Sequence, residues 1–173
     1  MVSRRVFLKA ICAGLVLCPL KNAEAFTKHE RFLDMYNTHT GEQLAVRYFS
    51  SGRYDPAALN RINHFLRCHY TNKVIEIDPA VLDLMCDIKD AVPGGKKIQI
   101  ISGYRSPLYN NLLASLGKNV SKKSLHIRGR AIDFTLEGSS ISTLAKAARS
   151  FYAGGVGEYP QFVHIDVGKV RYW

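Results

Sequence analysis

Two Asp-Pro pairs constrain this chain more than any other feature. Asp55-Pro56 and Asp78-Pro79 each set a capping carboxylate before a ring whose φ is already fixed for a first helical turn. Helices therefore start at both points. The first is expected to run to about Tyr70, with Leu59, Ile62, Phe65 and Leu66 on one face. The second keeps the same spacing through Val81, Leu82, Met85 and Ile88 and stops before Pro93-Gly94-Gly95. Upstream, Arg31 to Tyr36 and Gln43 to Phe49 are β-prone runs around a polar, Gly-containing turn, which predicts a hairpin. Downstream, strands are expected over Lys97 to Ser102, Ala131 to Leu136 and Phe162 to Val167, with helices over Leu108 to Leu116 and Ser139 to Phe151. Gly154-Gly155-Val156-Gly157 reads as a turn. The sum is an α+β fold: a small antiparallel sheet with helices packed around it.

The first 25 residues stand apart from that pattern. Arg4-Arg5 and Lys9 precede an apolar stretch from Ala10 to Leu20, and Ala23-Glu24-Ala25 closes it. A basic start, a short apolar core and an A-x-A end describe a cleaved export signal, and about eleven apolar residues are too few to span a bilayer. The paired arginines followed by Phe7-Leu8-Lys9 resemble a twin-arginine address. Residues 1–25 are thus read as the signal, and 26–173 as one domain exported to the periplasm or cell wall.

The whole chain of 173 residues has 24 Lys+Arg against 14 Asp+Glu. Removing Arg4, Arg5, Lys9, Lys21 and Glu24 leaves 20 basic and 13 acidic side chains, a net +7. Such a charge suits polyanionic surroundings: nucleic acid, anionic lipid or a carboxylate-rich wall. Export and the scattered placement of the basic residues argue against nucleic acid. A monomer that does not span a membrane is expected. Of four cysteines, Cys68 and Cys86 remain after the signal. Export permits a disulfide between them, and two buried thiols are the alternative.

Chemistry is concentrated in three stretches. Among six histidines, His29, His39, His64 and His69 read as solvated or locally bonded side chains. His126 and His164 keep different company: His126 leads through Arg128-Gly129-Arg130 to Asp133, and His164 is followed by Asp166. Two imidazoles and a carboxylate suit zinc with a position left open. Seven residues of helix would hold His126 and Asp133 about 10 Å apart, so one ion can take both only across a turn, which Gly129 can supply. Asp166 shares a strand face with His164 and is read either as the imidazole's carboxylate partner or as a general base, with Glu158 competing for the second part. Packed histidines and ordinary strand-edge acids are the bland alternative. Arg105 lies between a strand and a helix, where it can hold a carboxylate or an oxyanion, or simply be solvated.

Ser102-Gly103-Tyr104-Arg105-Ser106, then Ser124-x-His126-x-x-Gly129-x-Ala131-x-Asp133, then Phe162-Val163-His164-Ile165-Asp166, resemble in order the motifs of LAS-type zinc peptidases. That group takes in D-Ala-D-Ala carboxypeptidases, lysostaphin-like enzymes and hedgehog-fold domains. The resemblance extends to the closing Val170-Arg171-Tyr172-Trp173 and implies a hedgehog/D-Ala-D-Ala-peptidase-like scaffold. It implies zinc as cofactor, His126, Asp133 and His164 as its ligands, and Arg105 as a substrate or transition-state group. The activity implied is hydrolysis of peptidoglycan stem-peptide cross-links, either D-Ala–diaminopimelate or diaminopimelate–diaminopimelate. Many relatives carry an acid three residues before the third ligand, where this chain has Gln161. Asp166 then becomes the expected base, with Glu158 behind it. The alternatives are a D-Ala-D-Ala carboxypeptidase, a peptidoglycan-binding module without turnover, and an exported binder of nucleic acid or anionic lipid.

Overall fold

A computed structural model describes residues 30–94, 97–118 and 120–173; the expected export signal and His29 lie outside the described residues. The chain runs β1 (Glu30–Asn37), β2 (Gln43–Ser50), β3 (Arg53–Tyr54), α1 (Pro56–Phe65), α2 (Pro79–Ala91), β4 (Ile98–Ser102), α3 (Pro107–Ser115), β5 (Ala131–Leu136), α4 (Ile141–Ser150), β6 (Gly155–Glu158), β7 (Val163–Asp166) and β8 (Arg171–Tyr172). A 3-10 turn, Leu125–Arg128, precedes β5.

The fold is α+β, and its sheet is larger than expected and mixed. Eight strands lie in the order β3-β2-β1-β4-β5-β7-β6-β8, with β1·β4 and β6·β8 parallel and the rest antiparallel. Parallel pairing of β1 with β4 needs a long crossover, and α1 and α2 provide it. Of the expected turn at Gly154–Gly157, Gly155, Val156 and Gly157 instead lie in strand β6, and Gly154 bends just before it. Glycine there marks close approach rather than a bend.

Both Asp-Pro helices start where the sequence places them. Asp55 accepts from the Ala57 and Ala58 amides, and Asp78 from Ala80. The first helix ends at Phe65, short of Tyr70. Beyond it the backbone turns tightly: Cys68 N–H donates to the Lys73 carbonyl, Asn72 N–H to Cys68, and Asn72 takes φ 54°. Cys68 therefore sits in a turn. No disulfide joins it to Cys86: the Cys68 thiol donates to Ser106 Oγ at 3.4 Å, and Cys86 faces the Phe32 carbonyl at 3.8 Å.

One apolar core fills the space between sheet and helices. Leu33, Met35, Val46 and Tyr48 of the hairpin meet Ile62, Val81, Leu82, Met85 and Ile88, and Phe134, Ile132, Ile165 and Leu144 continue it. Each such side chain contributes about 1.5–3 kcal/mol when fully buried. Polar clamps pin β1, β2 and β3 to α2: Tyr48 and Tyr54 hydroxyls donate to Asp83 at 2.9 and 2.6 Å, and Arg31 pairs with Asp87 at 2.8 Å. No helix among the described residues is long and apolar enough to cross a membrane.

Candidate metal centre

Strand register does most of the assembly. Asp133 on β5 lies directly opposite His164 on β7, so their side chains emerge side by side on one face. His126 arrives from the 3-10 turn, which Gly129 ends with φ 65°. A Cβ at Gly129 would strike the Glu76 carbonyl, so the turn closes against the segment before α2 only with glycine.

Three ligand atoms converge. His126 Nε2 is 3.2 Å from Asp133 Oδ1 and 3.2 Å from His164 Nδ1, and His164 Nδ1 is 2.7 Å from Asp133 Oδ1. Ligands bound to one zinc at about 2 Å stand about 3–3.5 Å apart, so the donor set fits that ion in number and type, two of the three separations match, and the 2.7 Å pair would open slightly on binding. The outward-facing ring nitrogens are fixed too. His126 Nδ1 bonds the Gly103 carbonyl at 2.8 Å, and His164 Nε2 bonds Asp166 Oδ2 at 3.1 Å. Burial alone would raise the Asp133 carboxyl, but the two imidazoles on it hold it well below the usual carboxylate range. For His164, burial lowers the imidazole while Asp133 and Asp166 raise it, and the net direction is upward.

The expected site residues divide into those at the centre and those beside it. Arg105 is adjacent: its backbone N–H donates to the His126 carbonyl, and Nη2 lies 3.4 Å from Asp133 Oδ2. Its Nε is buried with no hydrogen-bond partner among the described residues. Asp166 lies behind the His164 ring, on its Nε2 side, and is fully buried. Its Oδ1 accepts from Gly155 N–H, Gly168 N–H and Arg171 Nη1, and its Oδ2 from Arg171 Nη2 at 2.6 Å. Burial raises the Asp166 carboxyl, but these bonds, His164's first among them, hold it far below its ordinary value. That placement does not suit an acid that must reach a water among the three ligand atoms. Glu158 does not suit it either, since its carboxylate is paired with Arg149 at 2.8 Å and does not line the cleft. The expectation of a base at Asp166 or Glu158 thus meets a side chain whose acceptor positions are filled and one turned elsewhere. His39 stacks on His69 at 3.9 Å, and neither these two nor His64 joins the centre.

The centre opens into a cleft of about 700 Å³. Lys118, Lys123 and Arg171 join Arg105 along it, and Tyr159, Phe162 and Trp173 form an aromatic wall. Sequence reasoning assigned no role to Arg171 or Trp173. The usable signal was the glycine spacing of β6: a Cβ at Gly155 would strike Asp166 and Arg171, and one at Gly157 would strike the Trp173 indole.

The chain is similar to known proteins over nearly its whole length. A family model described as peptidoglycan L,D-endopeptidase MepK, of the M15_2 peptidases, matches residues 25–173. The peptidoglycan L,D-endopeptidase MepK of Escherichia coli (strain K12) is 40% identical over 169 residues, covering 96% of this chain and 93% of that protein. A probable peptidoglycan L,D-endopeptidase MepK of Haemophilus influenzae is 33% identical over 170 residues, covering 96% and 91%. No solved structure matches the chain. The chain belongs to the M15_2 family of peptidoglycan metallopeptidases.

Proposed function

We propose that this protein is a zinc-dependent endopeptidase that hydrolyses cross-links between peptidoglycan stem peptides. The observation that carries the reading is the convergence of His126 Nε2, Asp133 Oδ1 and His164 Nδ1 at the floor of a basic cleft. The relatives' L,D specificity favours the diaminopimelate–diaminopimelate bond over the D-Ala–diaminopimelate bond, because only the former joins an L to a D centre.

His126, Asp133 and His164 are the three residues that would hold zinc. Zinc supplies Lewis acidity toward a carbonyl oxygen and toward water. Arg105 has two parts: Nη2 holds the second oxygen of Asp133, and the guanidinium, which lines the cleft, can donate to a substrate carboxylate or a developing oxyanion. Lys118 and Lys123 favour stem peptides, whose free carboxylates are anionic. Of the two parts open to Asp166, its bonds support orientation of His164. The scaffold is read as hedgehog/D-Ala-D-Ala-peptidase-like, residues 1–25 as a cleaved twin-arginine signal, and the domain as a monomer acting outside the cytoplasm.

One observation favours a second reading, a peptidoglycan-binding module without turnover. Among the described residues, the acids lining the cleft are Asp133 and Asp166 alone, and both are engaged. Digestion of purified peptidoglycan separates the two, with muropeptides followed by mass spectrometry. Conversion of cross-linked dimers to monomers, stopped by a chelator and restored by zinc, is the expected result. Dimers that persist with zinc bound would favour the binding module, and release of terminal D-Ala alone would indicate a carboxypeptidase.

A further inference from the structure

The back wall of the centre contains a second constellation, which ligand binding by itself does not explain. Asp166, fully buried, receives two donors from one guanidinium: Arg171 Nη1 at 3.1 Å on Oδ1 and Nη2 at 2.6 Å on Oδ2. Oδ1 has two further partners, the Gly155 and Gly168 amides. Among the described residues, Oδ2 has only Arg171 and the His164 imidazole. The guanidinium is itself held from three sides. Nη1 also donates to the Lys169 carbonyl at 2.9 Å, its carbon sits 5.1 Å over the Trp173 ring, and its own strand is tied to β6 by Arg171 N–H to Gly154 and Trp173 N–H to Val156.

Three glycines make room for this arrangement. A Cβ at Gly154 would collide with the Asp166 backbone carbonyl, one at Gly155 with the Asp166 carboxylate and Arg171, and one at Gly157 with Trp173. Strand β6 is thus cleared of side chains on the face where Asp166, Arg171 and Trp173 lie. Glycine in a strand interior costs stability, so the spacing reflects a need for close approach.

We propose that Arg171 is a positioning residue for His164, acting through Asp166, so that β8 fastens one ligand of the metal centre. The inference rests on the reading of His126, Asp133 and His164 as the ligand set. An imidazole that ligates through Nδ1 must carry its proton on Nε2, and the acceptor facing Nε2 fixes both tautomer and ring angle. That acceptor is Asp166 Oδ2. Without the guanidinium, Oδ1 keeps its two amide donors, but Oδ2 loses its only partner other than His164. The carboxylate can then rotate, and the ring has no fixed acceptor.

Arg171→Ala and Arg171→Lys test this in the full mature domain. Zinc affinity is read by competition with a chromophoric chelator, ligand geometry by the visible spectrum of the Co²⁺ form, and folding by the metal-free thermal midpoint. The expected result for Arg171→Ala is a zinc affinity about 10-fold to 100-fold weaker, with an altered Co²⁺ spectrum. Arg171→Lys keeps the charge and loses the two-pronged geometry, so it should fall between. Arg171→Ala with wild-type affinity and spectrum, whatever its thermal midpoint, overturns the inference. Should Arg171→Ala fail to fold, Arg171→Lys decides alone: weakened zinc binding supports the role and unchanged binding refutes it. Failure of the wild-type protein to bind zinc would instead strike at the ligand set, which distinguishes the two failures.

Discussion

The two ends of the sheet are built from different materials. At the β2-β1-β4 end, inward positions are apolar apart from Asn37, with Leu33, Met35, Val46 and Ile98 in the core shared with α1 and α2. At the β5-β7-β6-β8 end, neighbouring strands place His164, Asp133 and Asp166 in or beside the core, and half of β6 is glycine. The first end holds the domain together through apolar burial. The second spends stability on buried polar groups, tolerable because each is bonded to a neighbour. Core substitutions at the first end should therefore leave the chemistry of the second largely intact in the folded molecule.

The strongest break in that comparison comes from the centre itself. Asp133→Ala should abolish peptidoglycan hydrolysis, a loss of about 10³-fold or more, since it removes one of the three proposed ligands and the group bonded to both imidazoles. Its metal-free form should unfold cooperatively in urea at a lowered midpoint, because His126, His164 and Arg105 lose a buried partner. At the other end, Leu33→Ala empties a fully buried position and should cost about 2–5 kcal/mol in the same urea experiment. Its activity per folded molecule should be unchanged. Loss of activity in folded Leu33→Ala would show that the ends are coupled.

Gly155→Ala probes the boundary between them. The added methyl must displace the Asp166 carboxylate or Arg171, so overpacking should cost about 1–3 kcal/mol. Zinc affinity, measured by chelator competition, should weaken as well. The smallest effect belongs to Glu42, where the bonded Arg67 guanidinium outweighs burial and holds the carboxyl below its ordinary value. A depressed folded-state pKa gives stability that is present above the ordinary carboxylate range and lost as pH falls through the lowered value. For a pair as exposed as this one the gain is about 0–1 kcal/mol. The stability gap between wild type and Glu42→Gln should be full at neutral pH and close on acidification below about pH 4.

What the sequence discloses follows the same division. Asp55-Pro56 and Asp78-Pro79 act locally, and both helices begin where the pairs place them. The hairpin and β5 are legible because alternation and turn chemistry are local too. The end of α1 at Phe65 was not, because Tyr104 N–H bonds the Leu66 carbonyl from a distant segment. Strand β6 was misread as a turn because glycine signals both bends and close packing, and only the partner across the gap tells which. Strands β3 and β8, two residues each, carry no periodicity. In the centre, His126, Asp133 and His164 were visible as a set because residue type and order alone suggest a metal. Register decides the part played by Asp166: β7 puts its carboxylate behind His164, where Arg171 reaches it.

The most direct test of the account is a crystal structure of the zinc-loaded domain with anomalous data at the zinc edge. The account predicts one peak about 2.0–2.2 Å from His126 Nε2, Asp133 Oδ1 and His164 Nδ1, with His164 Nε2 still bonded to Asp166. A peak elsewhere, or His164 bound through Nε2 with Asp166 released, would contradict it.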